Sequence, residues 1–394
     1  AGAEGPSMFI GATCGDGVSK MLRCTDMERR YQLTGGASAG LAVAFNAPLT
    51  GIVFAFEEAH RRFTPAIFIC AFSSVLSAII TRNVLFELMH MEVASTFTTF
   101  TLVQMPLKSY GYVAIAAVLS GLLGFGFYSL CLLSRKIFAK ITFAKGLGKM
   151  LIPFIAAGVF GLISVAVMGG GHSFIQSLGT NGATREQTAT TIFSSPVVVS
   201  LLLVLVMRII ATALNLGAGV PCGIFIPMLS IGACIGALVS KLCGAIGMDA
   251  VYGDCIVMIC MATFFASIVK APITAIVMVV ELTWQFTLLV PVILGVSFGY
   301  MVSEIFGAKP IYEVILDGIL EDEHVHLTRH SYTTTIEEGS IAMNKPIRDV
   351  LWPGNLLIRS IKRGDEIVVA ASDTVLRAGD EITVQTECVD FDLF

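Results

Sequence analysis

Residues Ala47–Glu57 read Ala-Pro-Leu-Thr-Gly-Ile-Val-Phe-Ala-Phe-Glu, and residues Ala271–Glu281 read Ala-Pro-Ile-Thr-Ala-Ile-Val-Met-Val-Val-Glu, with six of eleven positions identical. Each copy is preceded by a short segment rich in Gly and Pro that carries an aromatic: Gly2–Phe9 (Gly-Ala-Glu-Gly-Pro-Ser-Met-Phe) and Gly217–Pro227 (Gly-Ala-Gly-Val-Pro-Cys-Gly-Ile-Phe-Ile-Pro). The chain therefore repeats a half-molecule. In a membrane protein, paired hydrophobic segments broken by Gly and Pro at matching places mark discontinuous helices that meet at a substrate site near the bilayer midplane. Glu57 and Glu281 close the two copies at equivalent positions, which points to a structural role for both.

Composition supplies the membrane. Hydrophobic residues make up 55% of the 394 and charged residues 14%, with a mean hydropathy of +0.82. That leaves too little polar surface for a soluble globule of this size. Apolar runs of spanning length, about 20 residues, occur near 37–56, 66–80, 110–133, 150–168, 196–216, 223–247, 255–280 and 286–306. Several hold Gly, Pro or Ser at their centres and are expected to be re-entrant or broken, which is tolerated where the freed backbone lines a protein-walled cavity.

The net charge of -4 hides a segregation. Basic residues cluster in Lys20–Arg30, in His60-Arg61-Arg62 and in Arg135–Lys149, while much of the acid lies beyond residue 312. The positive-inside rule turns those basic loops to the cytoplasm. A multi-pass protein of the cell (inner) membrane is expected, with its C-terminal domain cytoplasmic. Ala1 is no initiator Met and the first residues already read as the interior of a motif, so the chain is expected to be a fragment lacking its N-terminal part. The ten cysteines show no Cys-x-x-Cys spacing and mostly sit in apolar runs, as small hydrophobes do.

After Lys309 the character changes. Residues 316–330 read as a linker around the acidic Glu321-Asp322-Glu323, and 331–394 as a small soluble α+β domain. Its expected strands are Ser331–Thr335, Leu356–Ile361, Glu366–Ala370 and Glu381–Gln385, separated by turns at Pro353-Gly354-Asn355, Arg363-Gly364-Asp365 and Ala378-Gly379-Asp380. His324, His326 and His330 have neither Cys partners nor helical spacing, and read as solvated linker rather than a metal site. No glycine-rich phosphate loop follows a strand, so nucleotide hydrolysis has no candidate residues. No metal, cofactor or nucleic-acid partner is expected, and no enzyme activity.

The chemistry lies in the two Gly/Pro segments. At the start of a buried helix, free N–H groups and the helix dipole make a site for negative charge; glycines let backbone approach closely, and Pro6 suits a first helical turn. In Gly2-Ala3-Glu4-Gly5-Pro6 the protein supplies that charge itself, through Glu4. Gly223-Ile224-Phe225-Ile226-Pro227 has the same open N–H groups but no acid, so its anion must come from outside. Two half-helix N-termini, one with its own carboxylate, read as an anion pathway with a displaceable plug.

These motifs make the chain resemble the CLC family of chloride channels and chloride/proton exchangers. The family's Gly-Lys/Arg-Glu-Gly-Pro signature matches residues 2–6, with Ala3 in place of the basic residue, and Gly-x-Phe-x-Pro matches Gly223–Pro227 in full. Ala-Gly-x-x-x-x-Phe-Asn-x-Pro-x-x-Gly leading to paired glutamates matches Ala39–Glu58, and Lys-Pro-x-Tyr matches Lys309–Tyr312. The likeness covers residues 1 to about 315. Other departures are Cys222 in place of a glycine and Ala59-His60 after the glutamate pair. The family's Gly-Ser-Gly-Ile-Pro motif, whose serine separates chloride from nitrate or fluoride specialists, would lie before residue 1.

The resemblance implies an all-α membrane protein of inverted-topology repeats and broken helices over 1–315. It implies Glu4 as the gate, with Glu4 and Glu58 as the proton-transfer pair. The implied anion site comprises Ala3, Gly5, Ile224, Phe225 and Tyr312: backbone N–H groups of Ile224 and Phe225 hold the anion, and the Tyr312 hydroxyl closes it towards the cytoplasm. A carboxylate at Glu58 favours an exchanger over a channel; the alternative for Glu58 is a salt bridge to Arg61 or Arg62. A homodimer is implied too. Residues 330–394 resemble the C-terminal half-domain of regulators of potassium conductance, through Lys345-Pro346-Ile347, Leu351, Asp373–Leu376 and Ala378–Glu381, and that half-domain could take an unidentified small ligand. The expected activity is chloride/proton antiport in the lipid bilayer. A passive chloride channel, an exchanger for fluoride or nitrate, and a potassium transporter stand as rivals, the last without any Thr-Val-Gly-Tyr-Gly filter.

Overall fold

A computed structural model describes residues 2–61, 63–91, 97–141, 147–179, 197–220, 222–322, 327–350, 352, 356–364 and 366–389. The helices are α1 Glu4–Met21, α2 Asp26–Phe45, α3 Pro48–Phe54, α4 Pro65–Leu88, α5 Tyr110–Ala139, α6 Leu147–Ile163, α7 His172–Leu178, α8 Val197–Gly217, α9 Phe225–Ala245, α10 Gly253–Val269, α11 Pro272–Thr283, α12 Leu289–Ile305 and α13 Ile311–Asp322. The repeat is explicit: α1 to α4 recur as α9 to α12. Six of the described segments are long and apolar enough to cross a bilayer: α4, α8, α9, and α5, α10 and α12 with their leading 3-10 turns. This is a multi-pass membrane protein, mostly helical, with a small C-terminal sheet domain.

Two of the expected apolar runs are each two helices. The 37–56 run breaks between α2 and α3, and the 255–280 run between α10 and α11. The cause is the same in both repeats. Asn46 and Lys270 end their helices in the left-handed region, at φ 54° and 65°. Ala47 and Ala271 follow in near-identical non-helical conformations, φ -133°/ψ 81° and φ -120°/ψ 76°. Each precedes a proline, which disfavours helix in the residue before it and starts a new one at its own position. The 150–168 run also ends early, at Ile163.

The first helix and half of the second carry no run of spanning hydropathy, yet the two pack closely against each other. Their contact is built from missing side chains. A Cβ on Gly11 would stand 2.1 Å from the Gly36 carbonyl, one on Gly36 2.1 Å from the Gly11 carbonyl, and one on Gly40 2.3 Å from the Ser7 carbonyl. Backbones this close gain dispersion and weak polar contacts that bulky side chains would forbid, the usual way helices associate in lipid.

The centre of the molecule is α10, every residue of which is buried, against α9. A helix apolar all round belongs in such a core. By contrast α4 buries only Ile67, Ala71 and Val75 and exposes Ile69, Leu76, Ile80 and Leu88. In water such a stripe would drive aggregation; in a bilayer it is the solvated face.

The tail forms a four-stranded antiparallel sheet in the order β1-β4-β2-β3, with β1 Leu327–Thr335, β2 Leu356–Arg363, β3 Glu366–Val368 and β4 Glu381–Val389. Ile361, Leu376 and Ile382 fill its core. Arg363 clamps Asp380 through two bonds of 2.7 Å, and this guanidinium holds the buried carboxyl below the usual carboxylate range. The segment read as a linker over 316–330 is shorter: α13 runs to Asp322 and β1 starts at Leu327. The helix that carries Tyr312 continues through Glu321 and Asp322, two of the residues that suggested a linker. His324 and His326, and the turn Pro353–Asn355, lie outside the described residues.

Candidate functional site

Helices α1 and α9 start side by side. The segments that feed them pair as a short antiparallel bridge, Gly2 N donating to Gly223 O at 2.9 Å and Gly223 N to Gly2 O at 3.0 Å. The two Gly/Pro segments, one from each repeat, are thus joined backbone to backbone. Glu4 is the first residue of α1, and Ile224 is the N-cap of α9 and offers no capping side chain. The carboxylate of Glu4 fills that place: Oε1 accepts from Ile226 N at 2.9 Å.

Glycine makes room for it. A Cβ on Gly2 would lie 2.0 Å from Glu4 Oε2, and one on Gly223 2.4 Å from Glu4 Cδ. Glu4 is only 2% exposed, and its Oε2 accepts no hydrogen bond among the described residues. An acid carboxyl so placed has one strong partner, the amide end of a helix, and one unused oxygen. A carboxylate held mainly by helix-end N–H groups occupies an anion site rather than a salt bridge.

Directly beside it lies a cavity of about 510 Å³ whose lining includes Gly5, Glu58, Ile224, Phe225 and Tyr312. These residues, far apart in sequence, line the same cavity. Phe225 fixes its wall, ringed by Phe45, Phe54 and Phe265 at centroid distances of 6.0, 6.0 and 5.0 Å, with the Tyr312 ring at 5.9 Å. Tyr312 sits in the first turn of α13. Ala3, the N-cap of α1, is exposed and stands outside that lining.

Glu58 reaches the cavity from a π-turn, Ala55–Ala59, that continues α3. Single π-turns of this kind concentrate at functional positions. The salt-bridge alternative takes a different form: Arg61 pairs with Glu313 of α13, Nη1 to Oε2 at 2.8 Å. Arg62 lies outside the described residues.

The structural role of Glu57 and Glu281 has a definite geometry. Glu57 accepts from Ile273 N (2.8 Å), Thr274 N (2.5 Å) and Thr274 Oγ1 (2.6 Å), at the N-terminus of α11. Glu281 accepts from Leu49 N, Thr50 N and Thr50 Oγ1, each at 2.7 Å, at the N-terminus of α3. Each repeat's glutamate caps the other repeat's helix. The Pro-led helices lack a side-chain cap of their own, and their free amides take the carboxylate instead.

Sequence reasoning passed over Arg208, in the middle of α8. It is 4% exposed, donates to the Ala166 and Gly170 carbonyls and to Ser230 Oγ, and lies 4.8 Å over the Phe174 ring. An arginine inside an otherwise apolar run was the available signal.

Tyr312 lines the cavity, and its hydroxyl is the group expected to close it on the inner side. Tyr312→Phe keeps the ring against Phe225 and removes the O–H donor. A hydrogen bond to a charged group contributes about 1.5–3 kcal/mol, so if an anion sits here its affinity measured by calorimetry should fall about 10- to 100-fold. Unchanged affinity would return Tyr312 to an apolar wall role.

Comparisons with known proteins agree on the two-part organisation. Residues 1–304 match the family described as Voltage gated chloride channel, and residues 333–388 match the TrkA-C domain. The chain is 31% identical over 335 residues to the H(+)/Cl(-) exchange transporter ClcA of Vibrio cholerae serotype O1, covering 82% of this chain and 66% of that protein. It is 29% identical over 327 residues to the transporter of the same name from Cronobacter sakazakii, covering 80% and 65%. The chain thus spans about two thirds of the length of the curated relatives it matches. Among solved structures, a slow cyanobacterial Cl-/H+ antiporter superposes with a TM-score of 0.68 at 25% identity, covering 82% of this chain and 73% of the other. A CLC-type fluoride/proton antiporter, at 19% identity and a TM-score of 0.62 over 78% and 71%, shares the fold.

Proposed function

The chain belongs to the voltage-gated chloride channel family, and from that premise we propose that it is a transporter exchanging chloride for protons, with Glu4 as the gate. The observation that carries this reading is the Glu4 carboxylate seated on the Ile226 amide at the start of α9. One carboxylate and one chloride compete for the same helix end. Protonating Glu4 removes its charge, weakens its hold on the amides and leaves them to chloride; deprotonation returns the plug. Exchange then requires a side chain alternating between partners rather than a large domain movement.

Ile224, Phe225 and Gly5 offer backbone to the anion, Tyr312 bounds it on the inner side, and Glu58 hands protons between Glu4 and the cytoplasm. The exchangers among the relatives and the carboxylate at Glu58 favour exchange over passive conduction. The TrkA-C domain lies on the cytoplasmic side and tunes transport, with a small molecule as its ligand, and the working unit is a homodimer.

In proteoliposomes of the purified protein, an imposed chloride gradient should drive protons uphill, and flux should ignore replacement of potassium by sodium. Chloride flux without proton movement would establish a channel. A current that follows potassium would end the anion reading, which rests on a helix-end N–H group rather than on converging carbonyls.

A further inference from the structure

The two glutamate caps are related by the repeat, but the residues immediately after each cap are not. Glu57 lies within the π-turn Ala55–Ala59, and Glu58, the next residue of that turn, lines the cavity. Glu281, by contrast, lies in a regular α-helix that runs on to Thr283, and its neighbour Leu282 is 1% exposed in the core. A titratable side chain beside the cap exists in the first repeat only.

The consequence is geometric. Successive helical residues project in directions roughly 100° apart, so fixing one residue on a turn fixes the direction of the next. Glu57 is fixed at three points, two backbone N–H groups and one hydroxyl, all belonging to the opposite repeat. A π-turn is by itself an uncommon element that closes a wider, i→i+5 ring than an α-turn. Three bonds from the N-terminus of α11, two of them from the fully buried Thr274, fix the position before Glu58.

We infer that Glu57 is the positioning residue of the proton step: its clasp on the N-terminus of α11 holds the π-turn in the orientation that turns Glu58 into the cavity with Tyr312 and Ile224. Glu281 makes the same clasp in mirror fashion and positions no titratable group. It joins the repeats and nothing more. The inference rests on the exchange reading above and extends it, assigning Glu57 a role distinct from carrying protons.

The repeat supplies its own control. Glu57→Gln and Glu281→Gln keep shape and lose the same charge-assisted bonds at equivalent places. In proteoliposomes, protons moved per chloride should fall at least about threefold in Glu57→Gln, because hydrogen bonds to charged groups shift a local two-state balance by about tenfold or more. In Glu281→Gln the ratio should stay at the parental value, while both variants lose comparable thermal stability. Thr274→Val and Thr50→Val repeat the comparison without touching either glutamate, each deleting one hydroxyl donor from one clasp, and serve if a glutamine variant does not fold. Only Thr274→Val should lower the ratio. An equal fall on both sides, or no fall in Glu57→Gln and Thr274→Val while the parent couples normally, would overturn the inference. A parent that moves no protons would end the exchange reading, and this inference with it.

Discussion

Glu4→Gln should leave chloride flux at or above the parental rate and reduce chloride-driven proton uptake to background, a fall of about tenfold or more given that a glutamine has no proton to exchange. The amide is close to the carboxylate in shape, so the cradle made by Gly2 and Gly223 still accepts it. What changes is the competition. A carboxylate on helix-end amides makes charge-assisted bonds roughly twice as strong as neutral ones, and glutamine keeps only the neutral kind at Ile226 N. Chloride then meets a weaker rival, and its apparent affinity rises by the factor that plug occupancy had withheld. Parallel recording of chloride and pH from the same vesicles measures both effects. Persisting chloride-driven uphill proton movement in this variant would show that Glu4 is not the gate.

The repeat, the two Gly/Pro segments and the soluble tail were legible in the sequence because each is a local pattern. Period, breaker residues and turn chemistry are written in consecutive residues. The convergence of Gly5, Ile224, Phe225, Tyr312 and Glu58 on one cavity was legible only through resemblance, since no spacing argument brings residue 5 next to residue 312. Hydropathy missed α1 and the first half of α2 for a physical reason. Their packing depends on Gly11, Gly36 and Gly40 presenting bare backbone, and small residues contribute little to a hydropathy sum while contributing much to close helix contact. The breaks at Asn46 and Lys270 were foreseeable from Ala-Pro in both copies, but their identical left-handed exits were not, because Lys is an unusual residue at such a position.

The glutamate clasps show where pattern reading stops. Equivalent positions suggested a structural role for Glu57 and Glu281, and that is the limit of what a one-dimensional repeat can say. That each caps the other's helix follows from the two repeats being inverted against one another, with α3 and α11 adjacent and Pro-led amides exposed at each near end. An inverted repeat thereby satisfies in one copy the hydrogen-bonding groups that the other leaves open. The same logic governs the site itself, where the carboxylate of the first repeat occupies the helix end of the second.

Glu58→Gln should abolish chloride-driven proton uptake while chloride movement stays measurable, and the case rests on asymmetry as much as on chemistry. A proton reaching Glu4 must travel to the cytoplasm past the anion cavity, which requires a group that can hold and release it. Glu58 stands on that cavity wall; at the matching place in the second repeat stands buried Leu282, which can hold none. The chain therefore offers this station in one repeat alone, and removing it leaves no substitute at the equivalent place. On the reading proposed above chloride needs no such group, because its expected contacts are backbone amides and the Tyr312 hydroxyl, so its flux should survive. The expected loss of proton uptake is about tenfold or more, the low end of what deleting a positioned acid–base group costs. Proton uptake in Glu58→Gln equal to the parent's would remove Glu58 from the proton route and leave it an acidic lining residue of the inner cavity.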